Sequence, residues 1–454
     1  MVFHSKRKKA SQNLYLGGFT LIEALVGSAI FLLIALSGYK AFVTLMDAVG
    51  ASQAKIAATS VANERFEVIR NLPYDDVGLV GGLPVGTVER EETITRNNYV
   101  FDLLYTIRST DDPFDGTIGG SPNDSSPSDY KLVDLDITCA QCKVFSPLKF
   151  TTLVAPHALE TASTNGALFV QVFDANGLPI QGADIHIENT STTPDTIIDE
   201  TTDNEGWLKI VDAPPGVNAY SITASKNGYS TEETYPIGGA AGIDPLHPDA
   251  TVVVQQVTQT SFSIDRLASI EVSSQGPTAE ALCAPVANVG FSLTGAKLIG
   301  NPDILKYDTT DFSTNSGGTL SIPNLEWDTY TFNGLGSTYD IAGIDPFPVF
   351  SLTPGQSLNL NITAVPHVAN ALLVSVEDEN GAPIEGAAVR LENSPFDETK
   401  TTTASSACAA AGQVFWNGLA AGTYTLTVTK AGYTDYTTTF GASSYSLKKV
   451  ILSQ

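Results

Sequence analysis

From Phe19 to Tyr39 every position is apolar, small or hydroxylic except one carboxylate, Glu23. These 21 residues, at 1.5 Å rise each, reach about 30 Å and predict one helix long enough to cross a bilayer. Apolar positions recur at heptad-like intervals through Val43, Leu45, Val49, Ile56, Val61, Phe66 and Ile69. Leu72-Pro73 ends the pattern, because the residue before a proline avoids helical backbone. The expectation is a single helix from Thr20 to Asn71. Beyond it, alternation predicts strands over Thr87–Thr95, Asn98–Arg108, Lys131–Thr138 and Val144–Val154, a small β domain at residues 73–161 packed on the upper half of the helix. Between the second and third of these strands, Asp111 to Asp129 is rich in Asp, Ser, Pro and Gly and reads as a solvated loop.

Beyond residue 165 the sequence repeats itself. Asp174-Ala-Asn-Gly-Leu-Pro-Ile-Gln-Gly-Ala183 returns 204 positions later as Asp378-Glu-Asn-Gly-Ala-Pro-Ile-Glu-Gly-Ala387, and Lys226-Asn-Gly-Tyr229 returns at the same offset as Lys430-Ala-Gly-Tyr433. A degenerate copy lies between them: Val289, Phe291 and Leu293 alternate, and Leu325-Glu-Trp-Asp-Thr-Tyr330 parallels Leu419-Ala-Ala-Gly-Thr-Tyr424. Three tandem units follow, at 165–262, 266–366 and 369–454. Units one and three open with alternating strands, Leu168/Val170/Val172 and Leu372/Val374/Val376, each followed by Asn-Gly, which suits a two-residue hairpin turn. Short strands separated by turn residues every ten or so positions predict two-sheet sandwiches.

Composition narrows the function classes. With 24 Lys+Arg against 49 Asp+Glu, the net charge of −25 opposes direct nucleic-acid binding and attraction to an anionic membrane surface. Four Cys and five His in 454 residues leave little material for metal or thiol chemistry.

Lys6, Arg7, Lys8 and Lys9 precede the apolar run and predict a cytoplasmic N-terminus. The small residues Gly17-Gly18 stand before that run, whereas a secretory signal carries its cleavage site after it. Glu23 lies four residues inside the membrane segment, where an acid costs roughly 2.5–3.5 kcal/mol and needs a partner. The stretch Gly18-Phe-Thr-Leu-Ile-Glu23 resembles the class III leader of type IV prepilins and type II secretion pseudopilins. That resemblance implies cleavage between Gly18 and Phe19 by a prepilin peptidase, N-methylation of Phe19, and a filament in which the Phe19 amine of one subunit neutralises Glu23 of its neighbour. It also implies the other partners: pilin subunits, their assembly machinery, and the bacterial inner membrane before export to an extracellular pilus or the cell surface. Residues 1–18 would be the leader and 19–72 the transmembrane and spine helix. Removal of the leader would leave 20 cations against 49 acids. The segment from Ala62 to Tyr74 is similar to the end of the spine helix of V-type minor pilins. Its Glu64, Arg65, Glu67 and Arg70 are read either as filament contacts or as a solvated helix face.

The repeats resemble the carboxypeptidase regulatory-like domain, a transthyretin-like sandwich, through G-x-P-I-x-G-A and the later K-x-G-Y. The expected fold is therefore mainly β with one long N-terminal α-helix: a pilin-like α+β head plus three tandem Ig-like or transthyretin-like β-sandwiches. About 290 residues of sandwich on every subunit would crowd a filament, so a sparse or tip position is expected. The functional expectation is a minor type IV pilin-like subunit that displays sandwiches for adhesion to a protein or glycan. The alternative is a pseudopilin of a type II secretion or DNA-uptake apparatus.

No catalytic, cofactor or metal site is expected. His157-Ala-Leu-Glu160 has the spacing of a zinc pair, but His186, His247 and His367 are isolated from it, and no Gly-x-Ser-x-Gly occurs. An EF-hand reading of Asp111, Asp115 and Gly116 fails because Pro113 and Pro122 occupy positions that must supply oxygens. Cys139-Ala-Gln-Cys142, at a strand end, reads as a structural disulfide in an exported chain. Cys283 and Cys408 are then left to bridge units two and three. Trp207, Trp327 and Trp416, one per unit, read as core or sheet-edge packing.

Overall fold

The structure is a computed structural model and describes residues 20–156, 162–238, 244–277, 283–336, 338–405 and 408–454. The chain is mostly β with one long helix, α1, at Leu21–Arg70. It divides into two compact units. The first comprises α1 with the chain to Val80, Val85–Arg108 and the stretch that begins at Lys131. The second comprises Gly81–Pro84, Ser109–Tyr130 and the three sandwiches.

In the first unit, β1 (Glu91–Arg96), β2 (Tyr99–Thr110), β3 (Tyr130–Thr138) and β4 (Leu148–Val154) form an antiparallel meander in that order. Alternation fixes which face is inward: Phe101, Leu103, Tyr105 and Ile107 on β2 and Val133, Leu135 and Ile137 on β3 are buried with one stripe of the helix. That stripe is Ala57, Ala58, Val61, Ala62, Phe66 and Ile69, and its alanines let helix and sheet approach closely. The first strand starts later than the sequence pattern suggests, because Thr87 and Val88 donate their N–H groups to Asp76 and Gly78 rather than to a ladder. The fourth starts at Leu148, since the preceding residues follow the Cys139–Cys142 disulfide turn.

The outward face of β3 carries Asp134, only 4% exposed. Burial alone disfavours its charge. Thr151 (2.6 Å), Lys149 (3.3 Å) and Arg108 (2.9 Å) outweigh that penalty and hold its carboxyl below the ordinary 3.8. A depressed folded pKa contributes stability that is present above the unfolded value and lost as pH falls through the folded one. The thermal stability of the first unit is thus expected to fall as pH drops below 3.8, and Asp134→Asn to flatten that part of the profile. A variant with the wild-type acid slope would show that other groups carry it.

In the second unit the three sandwiches share one topology. The opening strand of each (Gly166–Phe173, Ala268–Gln275, Leu372–Asp378) pairs antiparallel with a middle strand and parallel with the closing one (Val257–Ser263, Ser357–Pro366, Ser446–Leu452). The opposite sheets centre on Asp184–Asn189, Gly290–Gly295 and Ala388–Asn393, each flanked by two antiparallel neighbours. Each sandwich has a core between its sheets, and that of the second also takes in Leu373 from the opening strand of the third. A buried tyrosine marks each: Tyr220, Tyr330 and Tyr424 donate their hydroxyls to the carbonyls of Pro214 (2.7 Å), Glu326 (2.9 Å) and Ala420 (3.1 Å).

The two recurring sequence marks meet in space. Lys226 Nζ donates to the carbonyl of Gln181, and Lys430 Nζ to that of Glu385, both at 2.6 Å, so K-x-G-Y holds the G-x-P-I-x-G-A turn in place. Thr202 and Thr402 repeat the same lock, each bonding the Ile carbonyl and the Ala N–H of its turn. The Asn-Gly pairs do not form two-residue hairpins. Only the glycines have positive φ (78° at Gly177, 79° at Gly381), and Asp174 and Asp378 each accept two N–H groups across a longer loop. Single bridges at Phe173–Pro179 and Glu377–Pro383 follow before the chain crosses to the other sheet, since Pro179 and Pro383 offer no N–H to extend a ladder.

Sandwiches two and three are joined by the Cys283–Cys408 disulfide. Beside it the buried Gln413 side chain imitates a strand neighbour, accepting the Ile344 N–H (3.0 Å) and donating to the Ile344 carbonyl (2.7 Å). Thr363 donates to the Cys408 carbonyl (2.9 Å) and Tyr445 to that of Ile341 (3.0 Å). Burial, with Asp340 nearby, drives the Tyr445 phenol well above its ordinary pKa.

Asp111–Asp129 is not simply solvated. Ile118 from this loop is buried against Ala167 and Val211, and Asp124 is itself buried.

Candidate assembly helix

Gly18 and Phe19 lie outside the described residues; Glu23 does not. Thr20 caps α1, and Glu23 at the third helical position completes a capping box. Its carboxylate accepts the Thr20 N–H (3.0 Å) and hydroxyl (2.9 Å), while Thr20 Oγ1 accepts the Glu23 N–H (3.3 Å). The sequence signal, Thr-x-x-Glu, is Thr20 to Glu23, and the reading by charge alone missed it. Glu23 therefore has an intrahelical role besides any intermolecular one.

From Leu21 to Val49 the helix keeps nearly all its large apolar side chains exposed; Leu21 is 86% and Phe31 73% accessible. This segment is long and apolar enough to cross a membrane. Gly27, Gly38 and Gly50 face open space, so the surface has shallow points where another helix could approach. From Ala54 onward the same helix buries one stripe on its own sheet. A single element thus has two surfaces, one packed and one open.

The polar residues near its end are spoken for within the first unit. Arg65 pairs with Glu92 and Glu64 with Arg96. Arg70 reaches Thr152 with Nε at 3.1 Å and Glu67 with Nη1 at 3.0 Å. They are neither a purely solvated face nor free contacts: they form the polar seam along the docked stripe.

Cys139 and Cys142 form a disulfide just past β3, and Cys139 belongs to the core. His157 and Glu160 lie outside the described residues. His186 pairs with Asp199 (2.6 Å), His367 with Asp340 (2.8 Å), and His247 contacts Thr260 (3.0 Å); burial lowers the His247 pKa. Trp416 is a core residue, Trp207 sits edge-on to Phe169, and Trp327 lies under the Lys297 ammonium at 3.5 Å. Among the described residues, three possible metal ligands converge at one place, Asp111, Asp124 and Asp129. Burial, opposed by the Ile118 N–H and reinforced by Asp124, Asp129 and Asp115, raises the Asp111 pKa.

Comparison with known proteins gives one family match: residues 371–445 fit the carboxypeptidase regulatory-like domain. No curated protein matches the chain. Similar solved structures include the Bacillus anthracis TIE protein (14% identity, 80% of this chain and 73% of that one, TM-score 0.20). Others are the Streptococcal ancillary pilin (11%, 64% and 99%, 0.18) and GBS52, the minor pilin of Streptococcus agalactiae (14%, 44% and 97%, 0.21). The chain has an N-terminal apolar helix, and its C-terminal sandwich matches the carboxypeptidase regulatory-like domain over residues 371–445.

Proposed function

We propose that this chain is a non-enzymatic, low-abundance filament subunit of the type IV pilin class, cleaved after Gly18 and methylated on Phe19, which carries its sandwiches to the cell surface as binding modules. The observation that carries this reading is the divided helix, whose first half exposes its apolar residues while its second half is built into a folded unit. In water such an exposed stripe is unstable, at about 25 cal/mol per Å² of apolar surface. Lipid before assembly and neighbouring helices afterwards would cover it. The leader resemblance at Gly18 to Glu23 supplies the processing step that moves a helix from the first environment to the second. The division into leader (1–18), spine (19–72), head (73–161) and three sandwiches (165–262, 266–366, 369–454) belongs to the same proposal.

Mass spectrometry of the chain recovered from the surface of producing cells is expected to find methylated Phe19 as the first residue. Residues 1–18 still attached would overturn the reading and leave a membrane-tethered β protein. Mature chain confined to the envelope, absent from sheared surface fibres, would favour the pseudopilin alternative.

A further inference from the structure

The loop between β2 and β3 fails the EF-hand spacing, yet the fold gathers a different set of acids from it. Asp111, Asp124 and Asp129 each offer one carboxylate oxygen, and these atoms all lie within 4.8 Å of one another. Clustering of acids alone would mean little on so acidic a chain. The second observation is burial without partners: Asp124 is 8% exposed, and its Oδ2, like Oδ1 of Asp111, is shielded from solvent with no hydrogen-bond donor. An ionised oxygen in that condition is destabilising unless a cation completes it.

The remaining oxygens are already fixed. Asp111 Oδ2 accepts the Ile118 N–H (2.9 Å), Asp124 Oδ1 the Ser126 N–H (2.8 Å), and Asp129 Oδ2 the Asp112 N–H. Backbone donors therefore hold the carboxylates in position through one oxygen each, and Asp111 Oδ1 and Asp124 Oδ2 are left buried without a donor. The donor set is all oxygen, which selects a hard divalent cation over zinc or copper. Calcium–oxygen distances of about 2.3–2.6 Å span a cluster of this width, whereas magnesium, at about 2.0–2.1 Å in strict octahedral geometry, would have to draw it inward.

We propose that Asp111, Asp124 and Asp129 bind one calcium ion. The ion would fasten the loop whose Ile118 is buried against Ala167 and Val211 of the first sandwich, making the seating of that loop dependent on calcium.

The test uses the full chain in detergent, stripped with EDTA and titrated calorimetrically with calcium chloride. One site is expected, with Kd of roughly 10⁻⁴–10⁻³ M, and magnesium chloride is expected to bind at least about tenfold more weakly. Asp124→Asn should weaken calcium binding by about tenfold or more and abolish the calcium-induced rise in Tm. In EDTA the same variant should unfold no lower than wild type, because it removes an uncompensated charge; a purely structural Asp124 would give a lower Tm. Asp111→Asn provides the same readouts if Asp124→Asn does not fold. No calcium-dependent heat or Tm shift up to about 10 mM, or binding that both substitutions leave unchanged, would overturn the site. Equal affinity for magnesium would overturn the calcium assignment.

Discussion

Replacing Cys283 and Cys408 together with serine is expected to destabilise the second and third sandwiches by about 5 kcal/mol. The bond closes a loop of 125 residues, and on the chain-entropy account the stabilisation grows with the logarithm of that length. The same account gives roughly 2 kcal/mol for Cys139–Cys142, separated by three positions, so the two disulfides should differ clearly in urea unfolding. Gln413, Thr363 and Tyr445 still join the two sandwiches in the variant, so its native contacts persist while its unfolded chain gains freedom. The check is the urea midpoint of the transition that melts these sandwiches, with wild type under reductant as the second measurement. A change below about 1 kcal/mol would mean that the noncovalent seam alone unites them.

Glu23→Gln is expected to reduce incorporation into sheared surface fibres by at least about tenfold, which corresponds to 1.4 kcal/mol per subunit. The substitution is chosen because Glu23 has two candidate roles. Glutamine can complete a capping box as glutamate does, so the helix start survives. What is removed is the charge, and with it the proposed partner for a neighbouring Phe19 amine in a low-dielectric filament core. Thr20→Ala makes the reciprocal change, removing the hydroxyl that bonds Glu23 while leaving the acid. Caps of this kind contribute on the order of 1 kcal/mol at one helix end, and a helix of 50 residues packed on a sheet does not depend on it. Thr20→Ala should therefore assemble nearly as wild type. If instead Thr20→Ala fails and Glu23→Gln assembles, the residue serves its own helix and the pairing between subunits is wrong.

Whether the sandwiches were legible depended on what each residue was asked to specify. The Asn-Gly pairs marked turns correctly in place but not in kind, because Asp174 and Asp378 take over the N–H groups that a tight hairpin would have paired. The opening strand of the middle unit is not followed by Asn-Gly, yet this unit keeps the parallel pairing of first and last strand and the buried Tyr330. Core positions and the tyrosine corner define this sandwich more strongly than its surface turns do. Glu64, Arg65 and Arg70 show the converse: their charge is plain in the sequence, but their strand partners 32, 27 and 82 positions away are not.

The sequence by itself determined what depends on near neighbours. The long helix follows from unbroken apolar spacing ended by Leu72-Pro73, the strands from alternation, and the repeats from their offset of 204. Tertiary structure alone decided which distant groups meet. It set Lys226 and Lys430 on the carbonyls of their turns, placed Gln413 against Ile344, and brought Asp111, Asp124 and Asp129 within reach of one ion. The physical reason is that periodicity encodes which face of an element is apolar, whereas a polar side chain finds its partner only after those apolar faces have packed and fixed the backbone around it.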